Sequence, residues 1–276
     1  MVRKSIRGFN RFLFLTVILP WAAVAQAEMI RNISAEGSCA IVGMSAEQSQ
    51  LIALQRARAA AIEQAAGVSV VSGTLVTNLT LRADIIRTYS KGLIVNEKVE
   101  WPRLGQYQKD PSTPPIPEYR VKILADVYVP QSKIKPIGMQ ANATGAVFKN
   151  GERAAIEVKA NREARVGIFN ITADDRVVLL FPNEFDRNNL LSKDKTLIFP
   201  ERNSRVELVM HTLPGHKRDA EAFYIIALDI SLKKDFADFF TPGRSMNFTA
   251  FFKKYSEIAD YCEDVVLAYE VVDGKE

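Results

Sequence analysis

Hydrophobic and polar positions change period several times along the chain, and the clearest change lies between residues 164 and 200. Arg165 to Ile171 is rich in β-branched and aromatic residues, and Val177 to Phe181 is a continuous apolar run closed by Pro182-Asn183. The polar stretch Thr172 to Arg176 separates the two runs. Two such runs joined by a polar turn predict a β-hairpin. The second run is typical of a strand that is buried on both faces.

Further apolar runs after residue 154 predict a β-sandwich, because they are short and polar turns separate them. These runs are Ala155–Ala160, Thr196–Phe199, Arg205–His211, Ala222–Leu228 and a closing strand at Val265–Val272.

An aromatic stripe precedes the closing strand. Asn247 is suited to an N-cap, and Phe248, Phe251, Phe252 and Tyr255 follow at helical spacing. Such a stripe is either a partner-binding face or the buried side of a helix laid over a sheet. The second interpretation is favoured.

The first half of the chain predicts strands and helices together. Ala40 to Val42 predict a short strand. Ser45 and Gln48 have the spacing of a capping box, and Gly67 stands where a C-terminal cap belongs. The helix between them carries one stripe at intervals of three and four, namely Leu51, Leu54, Ala57, Ala61 and Ala65.

Beyond Gly67 the pattern predicts a strand at Val68–Leu75 and a second short helix that carries Leu81, Ile85 and Tyr89. Two more strands are predicted at Leu93–Trp101 and Tyr119–Val129. The stretch between them, Pro102 to Pro117, holds five prolines and predicts an exposed loop.

The first 27 residues predict a secretory signal peptide cleaved after Ala27, with a basic start, an apolar middle and small residues at the cleavage site. The alternative is an uncleaved anchor, for which the apolar run is short. This segment carries four basic and no acidic residues, so the 36 Lys and Arg of the chain fall to 32, equal to the 32 Asp and Glu. That balance gives no argument for nucleic acid or an anionic membrane as a partner. No later run predicts a transmembrane span, and the expected compartment is the periplasm.

Periodicity is lost between Pro130 and Asn150, which predicts a domain boundary. The predicted fold class is α+β. A small domain at 28–130 has antiparallel strands, one alanine-rich helix and one short helix. A linker follows at 131–153. The second domain, at 154–276, is an immunoglobulin-like β-sandwich with an appended, aromatic-rich helical tail and a closing strand.

Two parts of the chain resemble known bacterial families. The residues of the first resemblance are Glu36, Gly37, the alanine-rich helix to Gly67, Asp84, Ile86, Ser90 and Gly92. They are similar to the N-terminal module of flagellar assembly protein T and related envelope proteins. This resemblance implies a small α+β domain used for assembly in the periplasm.

The second resemblance is to the domain of unknown function 4384. It rests on LLFPN at 179–183, Asn188-Asn189-Leu190, IFP at 198–200 and the turn 213–215. This resemblance implies an immunoglobulin-like binding or scaffolding module.

Candidate catalytic chemistry is sparse. His211 and His216 have no third ligand at metal-binding spacing. Asp174-Asp175 are explained by turn formation. Asp186, Asn188 and Asn189 predict a structured loop rather than a calcium site, because their spacing departs from the calcium-loop pattern. No catalytic, cofactor-binding or metal-binding residue is therefore predicted.

The two cysteines leave two possibilities open. An oxidising compartment permits a disulfide between Cys39 and Cys262. The favoured interpretation is two buried, unpaired thiols, since both lie in apolar contexts.

These features predict a non-enzymatic, exported envelope protein that acts as an assembly or scaffolding module. Its expected partners are other envelope proteins, with an outer-membrane or motility-associated complex as a candidate. The alternative is a periplasmic module that senses a ligand or binds the cell wall. A hydrolase that uses scattered carboxylates is the weakest hypothesis.

Overall fold

The computed structural model of the chain describes residues 28–67, 88–89 and 91–274. The predicted signal peptide and the predicted strand Val68–Leu75 lie outside the described residues. So do Leu81 and Ile85 of the predicted short helix, and Asp84, Ile86 and Ser90 of the first resemblance.

The first module is a sheet covered by one long helix. Strand β4 is central and pairs antiparallel with β1, β2 and β3. Its inward residues Val121, Ile123, Ala125 and Val127 are buried beneath the helix. The elements are β1 (Glu28–Ala40), α1 (Ala46–Ala66), β2 (Leu93–Glu100), β3 (Gly105–Tyr107) and β4 (Ile116–Val129).

Two sequence predictions need correction here. The strand predicted at Ala40–Val42 ends at Ala40 and extends back to Glu28. The proline-rich stretch Pro102–Pro117 includes the short strand β3 and the start of β4. Strand β1 alternates the buried Ile33, Ala35 and Cys39 with polar residues, and the prediction overlooked this pattern. Strand β3 has no such pattern, and it forms because pairing with β4 satisfies its backbone groups.

Helix α1 begins and ends as the sequence predicts. The Ser45 hydroxyl accepts from the Gln48 amide at 3.1 Å, and the Gln48 side chain accepts from the Ser45 amide at 3.1 Å. Gly67 adopts the left-handed conformation of a C-cap. The predicted stripe is confirmed in part: Ala57 and Ala61 are fully buried, and Leu54 and Ala65 pack against the same apolar cluster. Ala53, Ala57 and Ala61 are buried, while Leu51 and Leu54 are half-buried beside a cleft that the second module also lines.

The second module consists mainly of two packed sheets, as predicted. The large sheet has the order β15-β10-β9-β14-β16-β6, with β11 also paired to β9, and the small sheet has the order β12-β8-β5. Its elements are β5 (Gln140–Ala143), β6 (Val147–Lys149), β7 (Arg153–Ala154), β8 (Ile156–Lys159), β9 (Ala164–Ile171), β10 (Arg176–Phe181), β11 (Leu190–Leu191), β12 (Thr196–Phe199), β13 (Leu208–Val209), β14 (Arg218–Asp229), β15 (Met246–Asn247), α2 (Phe248–Tyr255) and β16 (Cys262–Val272), with 3-10 turns at Ile230–Leu232, Phe236–Asp238 and Ala259–Tyr261.

The predicted hairpin is confirmed as β9 and β10, in which Val177 pairs with Ile171 and Leu179 with Phe169. Strand β14 is buried on both faces. Its Tyr224 and Ile226 face one apolar cluster, and Phe223 faces the other. The first cluster contains α2, and the second lies between the two sheets.

The interval 131–153, predicted to be a linker, contributes to the second module. It contains β5 and β6, and β5 pairs with β8 while β6 pairs in parallel with β16. Ile137 and Met139 are buried in the cluster between the sheets. These strands escaped the sequence pattern because each has only three or four residues.

The aromatic stripe is core, as favoured. Phe248, Phe251, Phe252 and Tyr255 are buried in the cluster that also holds α1 and the first-module sheet. The two modules therefore share one apolar cluster.

Candidate functional site

The two histidines lie apart and have different partners. His211 Nδ1 lies 3.0 Å from the side-chain oxygen of Asn150. His216 Nδ1 lies 2.6 Å from Oδ1 of Asp219, whose other oxygen accepts from the Leu213 amide. In the part of the chain that the structure describes, no three potential metal ligands come together.

The carboxylate and amide residues of the predicted loop hold separate parts of the fold. Asp186 accepts from the Ser204 hydroxyl at 2.7 Å, and the buried Asn189 donates to Asp235 at 2.8 Å. Asn188 accepts from the Leu190 amide at 3.4 Å. Because each side chain bonds a different neighbour, the three do not converge on one point.

Cys39 and Cys262 are both free thiols.

The two modules meet at a buried arginine. Arg58 of α1 donates from Nε and Nη2 to the two carboxylate oxygens of Glu97 on β2, at 2.9 and 2.6 Å. Its Nη1 donates to Asp175 in the β9–β10 turn. The planar guanidinium suits this arrangement because its donors form a rigid fork. Arg58, Glu97 and Asp175, here called the junction triad, connect α1, β2 and the second module.

Two residues of α2 contact the junction triad. The Phe248 ring centre lies 4.9 Å from the guanidinium carbon, and the Thr249 hydroxyl donates to Glu97 at 2.6 Å. Burial by itself lowers the pKa of Arg58, but Asp175 and Glu97 outweigh it and raise that pKa above its usual value. The guanidinium therefore stays charged, and the triad is a structural joint.

Asp174 and Asp175 form the turn that the sequence predicts. Asp175 has a positive φ of 65°, and Asp174 accepts from the Thr172 hydroxyl at 2.5 Å. The additional role of Asp175 as a partner of Arg58 was missed. A signal for it existed, since Arg58 follows Leu54 by four residues and so continues an apolar stripe of α1.

A groove of about 790 Å³ lies beside the end of β10. Its lining is mostly apolar and includes Leu179, Pro182, Val206 and Pro242. Phe185 stands at its rim with 58% of its surface exposed. We call this the proline groove. Its size and lining are typical of ligand and anchor-residue sites, which are concave and mainly apolar.

The loop that presents Phe185 is ordered by Asn183. The Asn183 side-chain oxygen accepts from the amides of Phe185 and Asp186, at 2.9 and 2.8 Å. Its side-chain nitrogen donates to the Leu180 carbonyl at 2.8 Å. Bonds from asparagine to nearby backbone hold turns in one conformation. Phe185 is therefore pre-positioned, and binding at it orders few additional groups.

A second groove, of about 340 Å³, lies on the other side of Phe185. One wall consists of consecutive residues from Lys195 to Phe199, and the other of residues 185–188 and 190–192. Successive strand residues point to opposite faces, so a wall of consecutive residues follows the edge of β12. We call this the edge groove. Leu190 and Ile198 are 40% and 46% exposed in it.

The segment before β5 is held by β16 and the turn that precedes it. Glu263 accepts from the amides of Ile137, Gly138 and Met139 at 2.7, 3.0 and 2.7 Å. Asp260 accepts from the Gln131 amide at 3.0 Å. No local sequence pattern could have indicated these bonds, since they join residues more than 120 positions apart.

A cleft of about 590 Å³ also opens beside the junction triad. Polar side chains that line this cleft already form hydrogen bonds within the protein. Asn96 donates to Asp126 at 3.2 Å, and Asp174 accepts from Thr172. The proline and edge grooves are therefore the better candidate site.

None of the described helices is both long and apolar enough to cross a membrane.

A profile for the family described as Domain of unknown function (DUF4384) matches residues 147–220. This match confirms the second resemblance, and it covers the loop of Phe185 and the whole of β12. A search of curated proteins finds no significant match. The family match does not extend to the first module.

Proposed function

We propose that this protein is a non-catalytic interaction protein of the bacterial envelope, which binds a partner through the proline groove. One observation carries the proposal: Phe185 is an exposed phenylalanine on an ordered loop at the rim of an apolar groove. Aromatic anchors at pockets supply much of the binding energy at protein interfaces. The polar side chains at the groove, such as Asn183 and Asp235, are already bonded within the fold, which favours binding over chemistry.

The proposed compartment is the periplasm. Its support is the N-terminal segment with its basic start, apolar middle and Ala25-Gln26-Ala27 site. The finer proposal is assembly within an outer-membrane or motility-associated complex. The likeness of Glu36, Gly37, Ala61 and Gly67 to the flagellar assembly protein T module supports this finer proposal.

The test is a photo-crosslinking amino acid placed at position 185 of the exported protein in intact bacterial cells. A matched control carries it at Val147, which is 55% exposed on β6, outside the groove. We expect one ultraviolet-dependent adduct of defined mass at position 185 and none at 147, identified by mass spectrometry. No adduct at 185, or the same adducts at both positions, contradicts the proposal.

Ligand sensing is the second candidate, favoured by the volume of the same groove. Soluble cell-wall fragments would then raise the melting temperature of the full chain, because a ligand stabilises the state that binds it. The variant Phe185→Ser would lose that rise. An equal rise in both proteins, or none in either, speaks against this candidate.

A further inference from the structure

We infer that β12 accepts an added strand: an extended segment of a partner chain lies in the edge groove, hydrogen bonded to the open edge of β12. The inference rests on the proposed function, because it specifies how this module holds its partner. The added segment runs beside Thr196–Phe199, opposite β8.

The backbone of β12 provides the first argument. Thr196 to Phe199 pair with Lys159 to Ile156 of β8 on one side. Within the described residues, residues 196–199 make no backbone hydrogen bond to any other element. Alternate N–H and C=O groups of an edge strand point away from its neighbour, and they are the groups with which an extended peptide pairs.

The position of the groove provides the second argument. Strand β11 stands on the far wall and pairs with β9 of the large sheet, through Leu190 and Leu191. The edge groove is thus the seam between the margins of the two sheets. A folded second copy has its own wall of residues 185–192 beside β12, which hinders edge-to-edge approach. A single extended segment fits such a seam, and we therefore assign the groove to one.

Side chains at the seam indicate the chemistry of that segment. Phe185, Leu190 and Ile198 offer exposed apolar contacts along it. A bound strand would present apolar residues at alternate positions to meet them, because side chains alternate along a strand.

The two ends of β12 in the edge groove carry opposite charges. Lys195 precedes β12 and Glu201 follows it, and neither forms an ion pair among the described residues. Arg187 donates to the Glu184 carbonyl, and Asp186 is bonded to Ser204. The complementary partner segment therefore carries an acidic residue beside Lys195 and a basic residue beside Glu201.

The experiment begins with a displayed library of random decapeptides selected on the full exported protein. The selected peptides are then synthesised with one N-methylated amide at a time. A strand-added peptide hydrogen bonds through alternate residues, so methylation at every second position should weaken binding about tenfold or more, with little effect between. Of the neighbouring Leu197 and Ile198 amides, only the one that points away from β8 should exchange more slowly when the peptide is bound.

Two variants provide the matched comparison. Ile198→Ser should weaken peptide binding about tenfold, whereas Val147→Ser on β6 should leave it unchanged. Both side chains are exposed, so neither change should unfold the protein. Selection that yields no binding peptide, or an N-methyl scan without alternation, overturns the inference. So does a dimer of the free protein that Ile198→Ser dissolves, since a second copy would then occupy the edge.

The outcomes separate the two proposals. A partner captured at position 185 together with a scan that lacks alternation leaves the interaction function standing and removes strand addition. An alternating scan without any capture at position 185 supports strand addition by the module and contradicts the cellular proposal.

Discussion

Arg58 of α1 and Asp175 of the β9–β10 turn form a buried ion pair although 117 positions separate them in the sequence. Together with Glu97 they form a buried network that connects the two modules. Removing one member leaves buried charges without a partner, and that state is far less stable than the intact network.

The first prediction follows from that relationship. Arg58→Met should lower the free energy of unfolding by about 3–5 kcal/mol, because Glu97 and Asp175 remain largely buried and lose their cationic partner. Urea unfolding with linear extrapolation measures the change. Arg56→Met is the control on the same helix, since Arg56 is exposed and bonds one carbonyl, that of Ser38. A loss below about 1 kcal/mol for Arg58→Met would show that the triad contributes little.

Gly37 of β1 permits the close approach of α1, which gives a second prediction. A Cβ atom there would lie 2.5 Å from the Ala57 amide nitrogen and closer still to the Ala53 carbonyl oxygen. Gly37→Ala should therefore destabilise the protein by about 3 kcal/mol, since backbone atoms must move.

Gly105→Ala is the matched control for Gly37→Ala in the same sheet. Its Cβ would meet the Arg120 side chain at 2.7 Å, and that flexible, exposed group can move aside. Thermal or urea unfolding compares the two variants. Equal losses in both would contradict the packing argument.

The third prediction concerns pH. Burial raises the pKa of Asp264 to about 6, and the neighbouring charge of Glu263 adds to the rise. An unfolded aspartate ionises near pH 3.9. The folded state therefore binds more protons between about pH 4 and 6, and the Asp264 contribution to stability falls as pH rises through that window.

Asp264→Asn should remove this dependence. Relative to the parent protein, the free energy of unfolding of the variant should rise by up to about 3 kcal/mol from pH 4 to pH 7. Glu257→Gln, at an exposed position, is the control. The stability measurements are made above pH 4, because Asp260 affects stability at lower pH. Burial by itself raises the pKa of Asp260, but donors such as Lys133 outweigh it and hold that pKa below its usual value. Parallel stability curves for variant and parent would refute the assignment.

The fourth prediction tests the ordered loop. Asn183→Ala removes three side-chain hydrogen bonds and should cost about 1–2 kcal/mol of stability. Hydrogen exchange at the Phe185 and Asp186 amides should become faster, and capture of the partner at position 185 should weaken. Asn188→Ala, which removes one long bond of 3.4 Å, should change neither. Unchanged exchange in Asn183→Ala would mean that other contacts order the loop.

Local signals explain what could be predicted from the sequence. The capping box of Ser45 and Gln48, the cap at Gly67 and the N-cap at Asn247 act within one helical turn, so their pattern is visible in the chain. The β9–β10 hairpin is similarly local. The aromatic residues of α2 were correctly assigned to the core because their spacing matches one helical face.

Features that depend on distant residues were missed. Strands β5 and β6 are too short for a period, and they exist because β8 and β16 pair with them. The burial of Arg58 depends on two carboxylates that lie far from it in the sequence. The grooves on either side of Phe185 arise from several separate segments, and no single stretch of sequence encodes them.

The bonds from Glu263 to residues 137–139 have a consequence for biosynthesis. During synthesis the chain presents this segment 126 residues before the Glu263 carboxylate that accepts from the Ile137 amide. Until β16 is synthesised, the apolar Ile137 and Met139 lack part of their packing, and chaperones and proteases have time to bind them. A truncated chain that ends before residue 260 lacks Glu263 and cannot form these hydrogen bonds to residues 137–139. Complete folding of the second module therefore requires that synthesis has proceeded past β16.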